Sequence, residues 1–101
     1  MKKGVSIQLD KIRMLRYGIN ALVIVEELTG RAITKLDLKN ISIKDLRTIV
    51  YAGLSHEDKD LTPESVGEII DTYSDMTYVA EKVGEAFSLA FGKGDKSDPK
   101  K

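Results

Sequence analysis

Few residues in this sequence could do chemistry, and none has the neighbours that chemistry would need. His56 is the single histidine, set in the polar run Ser55-His56-Glu57-Asp58-Lys59-Asp60. A lone loop histidine beside two acids reads as a solvated residue rather than a base or a ligand. Cysteine is absent, which removes disulfides, thiolate ligands and thiol nucleophiles. No serine has the sequence of a nucleophile elbow around it. Asp58-Lys59-Asp60-Leu61-Thr62 starts like a calcium loop. With Asp58 as its first position, the glycine required at the sixth is Pro63, and the glutamate required at the twelfth is Ile69. The run GKGDKS at 92–97 has the residue types of a phosphate loop but lacks the preceding strand, the glycine spacing and the following helix. Glu26-Glu27 and the acids of 57–75 have neither histidine nor metal-ligand spacing beside them. They read as solvated helix faces and dipole partners. The sequence therefore predicts no catalytic, cofactor or metal site, and a chain that works through its surfaces.

The elements that build those surfaces follow from apolar periodicity. A chain of 101 residues, 42% hydrophobic and 32% charged, makes one domain with a real core. No apolar run approaches the ~20 residues that span a bilayer. The basic start, Met1-Lys2-Lys3-Gly4, is not followed by the apolar stretch of a secretory signal. Val5, Ile7 and Leu9 alternate with polar residues, and Ile12 and Met14 resume the alternation. That period of two on either side of Asp10-Lys11 predicts a β-hairpin with a two-residue loop. One continuous helix from Ile7 to Leu28 is the competing reading.

The densest apolar stretch is Tyr17–Gly30, with Ile19, Leu22, Val23, Ile24, Val25 and Leu28 covering most of a helical circumference. A helix apolar nearly all round is expected to be buried, so residues 18–29 are expected to be the central helix. Gly30 suits a left-handed C-terminal cap. The β-branched run Val23-Ile24-Val25 leaves a buried strand as the alternative. Ile33, Leu36 and Ile41 suit a short helix or turn, with Thr34 as its cap. Ser42 caps a helix carrying Ile43, Leu46, Ile49, Val50 and Leu54, with Asp45 in its first turn. Thr62-Pro63-Glu64 is the clearest helix start in the chain, leading to Val66, Ile69 and Ile70. Ser74 or Asp75 caps a last helix whose stripe is Met76, Val79, Ala80, Val83, Phe87, Ala90 and Phe91. Gly84, Ala86 and Ala90 are small enough to admit another backbone. The fold class is mostly α (α+β): a small N-terminal hairpin and four to five short helices in a single domain, 1–91. The polar stretch 92–101 is expected to be a disordered tail.

The zero net charge conceals an uneven distribution. Residues 1–16 carry five basic groups and one acid; residues 57–75 carry seven acids and one lysine. Such a polarised chain could self-associate head to tail, into rings or filaments. A small helical DNA-binding regulator is the alternative functional class, with Ile43–Leu54 and Pro63–Thr72 as a helix-turn-helix. Against it, the second helix carries Glu64, Glu68 and Asp71 and no base, the sign that repels phosphate.

The order of these features resembles the tail assembly chaperones of long-tailed siphophages and of prophages in Gram-positive bacteria. The resemblance spans roughly residues 5–91. It lies in the hairpin VSIQLDKIRML running into RYGINALVIVEELTG, then SIKDLRTIVYAGLSHED, then LTPESVGEIID, then a helix ending EAFSLAF. The densest part is Leu46–Asp58, followed after Lys59-Asp60 by the Leu-Thr-Pro-Glu helix start. The resemblance implies a non-enzymatic protein without cofactors that binds the tape measure protein while tail tube subunits assemble around it. It further implies action in the bacterial host cytoplasm and absence from the mature virion. It also implies a short form that a frameshift near Gly92-Lys93 could extend. No family site transfers residue by residue. The candidate partner surface is the hairpin, through Val5, Ile7, Ile12 and Met14, together with the last helix, through Met76, Val83, Phe87 and Phe91. The bland reading of the same residues is that they are simply core.

Overall fold

A computed structural model describes residues 4–91. The tail at 92–101, with the phosphate-loop-like run at 92–97, lies outside the described residues. Strands β1 (Val5–Gln8) and β2 (Ile12–Leu15) form an antiparallel hairpin. Helices α1 (Ile19–Thr29), α2 (Ile43–Leu54), α3 (Pro63–Tyr73) and α4 (Met76–Phe91) follow, with one 3-10 turn at Ile33–Lys35. This is the mostly helical chain with a small hairpin that the periodicity predicts.

The helix boundaries fall where the local chemistry places them. Gly30 takes the left-handed conformation at φ 74° and donates its N–H to the Glu26 carbonyl. The Ser42 hydroxyl accepts the Asp45 N–H at 3.0 Å. At α3 the Thr62 and Ser65 hydroxyls each accept the other's backbone N–H, so Ser65 takes the part usually played by glutamate in a capping box. The Asp75 carboxylate accepts the Tyr78 N–H and starts α4. Thr34 caps nothing: it lies inside the 3-10 turn, which begins after Ala32.

Two expectations change. The first is the hub. Residues 18–29 form a helix, but α1 buries only Val25 completely, and Ile19 remains 76% exposed. Its inner flank lies on α2, while no element covers its outer flank. The central helix is α2, which buries Leu46, Ile49, Val50, Ala52 and Leu54 and packs against α1, α3, α4 and β2.

The second change is the facing of β2. The hairpin loop holds three residues, Leu9-Asp10-Lys11, so Ile7 pairs with Arg13 and Val5 with Leu15. A shift of one residue turns every β2 side chain to the other face of the sheet. Leu15 and Arg13 therefore point into the protein, and Ile12 and Met14 point out. Burial of Leu9, Leu15 and Tyr17 accounts for this choice, because all three enter the core.

Arg13 is only 5% exposed and its charge is met on two sides. Its Nε and Nη2 donate to the two Asp10 oxygens at 2.8 and 2.9 Å, and its Nη1 lies 3.5 Å from Asp58. The hydrogen bond from Arg13, more than its charge, holds the Asp10 carboxyl below the usual carboxylate range. Asp10 also accepts the Lys11 N–H at 3.0 Å, so one carboxylate ties the loop backbone to the Arg13 side chain. The loop after α2 holds β2 through side chains: Glu57 accepts the Met14 N–H at 3.3 Å, and a His56 ring nitrogen meets the Met14 carbonyl at 2.8 Å. The Arg16 N–H donates to the Gly53 carbonyl at 3.0 Å.

Tyr17 seals the same junction. Its hydroxyl donates to the Ile49 carbonyl at 2.6 Å, and its ring meets Phe87 edge to face with centroids 4.7 Å apart. Burial raises the phenol above its ordinary range. Gly53 permits this approach, since a Cβ there would stand 2.6 Å from Tyr17 Cζ. Gly84, by contrast, faces open space within 4 Å of the position its Cβ would take.

Two outcomes follow from this packing. Gly53→Ala lowers the thermal midpoint, since overpacking costs ~1–3 kcal/mol. Gly84→Ala raises it, since alanine gains ~0.5–1 kcal/mol over glycine in a helix; thermal melts followed by circular dichroism read the opposite signs. Asp10→Asn costs about 1–2 kcal/mol at pH 7 by weakening a charged hydrogen-bond pair. Because the folded carboxyl titrates below its unfolded value of ~3.9, its contribution is complete above that value and is lost as pH falls through the folded one. Urea titrations should therefore show a constant gap between variant and parent above about pH 5 that closes below about pH 4.

Candidate functional site

The sequence-predicted surface divides in two. Ile7, Val83 and Phe87 belong to the core and offer no surface. Val5 is half-buried against it. Ile12, Met14, Met76 and Phe91 are exposed. Ile12 and Met14 share the outward face of β2; Phe91 stacks edge to face on Phe87 at the end of α4. Met76 belongs to a different feature, a groove between α2 and α3 that is closed at one end by the start of α4.

This groove has a volume of about 420 Å³. Its apolar lining comes from Ile43 and Leu46 of α2, Ile70 of α3 and Met76. Ile43 is the first residue of α2 and stays 72% exposed, beyond the part of that helix that α3 covers. Gly67 faces the Arg47 side chain where the helices pass: a Cβ there would lie 3.1 Å from Arg47 Cδ. The Arg47 stem runs across this point, and its Nε is buried without a hydrogen-bond partner.

One wall is acidic. Glu64, Glu68 and Asp71 recur at i, i+4 and i+7, which puts them on one flank of α3, and all three line the groove and are exposed. Arg47 forms no ion pair with them among the described residues. The wall is also the outer surface of the helix that a helix-turn-helix reading would send toward phosphate, and its charge opposes that approach.

Sequence reasoning assigned Ile43 to a core stripe and did not bring α2 and α3 together around a groove. The legible signal was the spacing of Glu64, Glu68 and Asp71 beside Gly67. The acid-rich run at 56–58 proves structural, holding β2. Among the described residues no three His, Asp or Glu side chains gather in a metal-holding group, and no helix is long and apolar enough to cross a membrane. No family model, curated protein or solved structure matches the chain.

If Ile43 belongs to the groove and not the core, its truncation is nearly free. Ile43→Ser should move the folding free energy by under ~0.5 kcal/mol, whereas Ile49→Ala in the core costs ~2–5 kcal/mol. Urea denaturation of the two variants side by side measures this.

Proposed function

We propose that this chain is a non-catalytic tail assembly chaperone of a long-tailed phage or prophage. In this reading it binds the tape measure protein, keeps it soluble while tail tube subunits assemble, acts in the host cytoplasm and is absent from the finished virion. Self-association into rings or filaments through its basic and acidic segments belongs to the same proposal. The reading rests on the sequence resemblance across residues 5–91. The observation that carries it furthest is the open apolar groove of Ile43, Leu46, Ile70 and Met76. A tape measure protein is a long helical chain, and an apolar groove between two helices suits a third helix laid along it. The exposed Ile12, Met14, Ile19 and Val23 supply further apolar surface for a large partner.

The test is co-expression with fragments of the tape measure protein from the same phage genome. The expected result is that a fragment insoluble alone moves to the soluble fraction and co-purifies with this chain. Fragments that stay insoluble to the same extent with and without it overturn the proposal.

A further inference from the structure

We propose that the α2–α3 groove is selective for a cationic amphipathic helix, one whose apolar side chains enter between Ile43 and Met76 while its lysines or arginines lie along Glu64, Glu68 and Asp71. This rests on the protein-binding reading above and adds to it the chemistry of the partner. The argument starts from the mismatch between the two walls. The α2 side gives Ile43, Leu46 and the Arg47 stem; the α3 side gives three carboxylates on one flank. Arg47 is the only cation lining the groove and pairs with none of them among the described residues. The wall therefore stays net negative at neutral pH. Three acids spaced i, i+4 and i+7 rise along the helix at the spacing by which a second helix presents a row of side chains. An apolar strip bordered by that row complements a helix with leucine-like anchors on one face and basic residues on the adjoining one. An anionic helix of the same apolar pattern would bring like charges together in a partly desolvated groove, which disfavours it.

The probe is a synthetic, fluorescently labelled peptide of Leu, Ala and Lys. It is about 18 residues long, so that it can fold as a helix on docking, with leucines at i, i+3, i+4 and i+7. Its twin has every Lys replaced by Glu. Fluorescence anisotropy against the full chain should show binding of the cationic peptide that weakens with added salt, and about tenfold or weaker binding of the twin. Glu68→Lys combined with Asp71→Lys, both on the exposed flank of α3, should reverse the preference. Ile43→Ser should weaken both peptides while leaving the far-ultraviolet circular dichroism unchanged. Equal affinity of the parent for the twins overturns the inference, as does a preference that survives the double charge reversal. A parent that binds neither peptide overturns it too. So does light scattering that shows a dimer lost on Ile43→Ser, since the groove is then filled by a second copy. The same variants separate this inference from the broader one. A tape measure fragment kept soluble equally by the parent and the charge-reversed variant leaves the chaperone role intact and removes the groove's charge from it.

Discussion

A guanidinium taken almost wholly out of water must be met by carboxylates, and the register that buries Leu9, Leu15 and Tyr17 imposes that requirement on Arg13. Removing a charge from water costs several kcal/mol unless good hydrogen bonds replace the hydration. Arg13 is met twice, by Asp10 within its own hairpin and by Asp58 from the loop after α2. The first contact sets the shape of the hairpin loop. The second ties that loop to a segment more than forty positions away in sequence. Leu15 and Tyr17 follow Arg13 inward on the same side of the chain, so the buried charge and the apolar core share one register. α2 then becomes the hub because it presents the surface on which that register closes: Ile49 receives the Tyr17 hydroxyl, and Gly53 leaves room for its ring.

Much of this was legible in the sequence, and the parts that were not share a cause. Ser42, Thr62-Pro63, Asp75 and Gly30 mark helix ends by local hydrogen bonding, which depends on residues a few positions apart. The hairpin was legible as an alternation, but two apolar phases compete in β2. Ile12 and Met14 hold one phase; Leu15 and Tyr17 hold the other. Local pattern cannot choose between them, because the choice depends on a distant carboxylate and on space beside Gly53. The same limit applies to α1. Its composition shows that it can be buried all round, but only its neighbours decide how much of it is, and α2 covers a single flank. The groove was hidden for a related reason. Ile43 continues the apolar spacing of α2 without interruption, and nothing local says that α3 stops short of covering it.

The exposed apolar groups are therefore of two kinds. Ile12, Met14, Ile19 and Val23 are outward because the elements bearing them are covered on one side only. A protein surface always carries some such residues. Ile43 and Met76 differ because they border a concavity in which α2 supplies apolar atoms and α3 supplies charge. Where area and polarity occur together, recognition can discriminate among partners that apolar area alone would accept equally. In the proposed reading, the chain's specificity comes from the shape between two helices and from the sign of one wall.

The polar side chains after α2 have one more consequence. A two-stranded hairpin ordinarily leaves two rows of backbone donors and acceptors open to strand addition by another molecule, a common starting point for aggregation. Here the outer edge of β2 is occupied at Met14 by Glu57 and His56, the Arg16 N–H just past the strand is taken by the Gly53 carbonyl, and on the β1 side the Tyr78 hydroxyl accepts the Gln8 N–H. Backbone templating is interrupted along both strands. Association is left to side chains, whose contacts can be released, rather than to a growing ladder, whose contacts are far harder to undo.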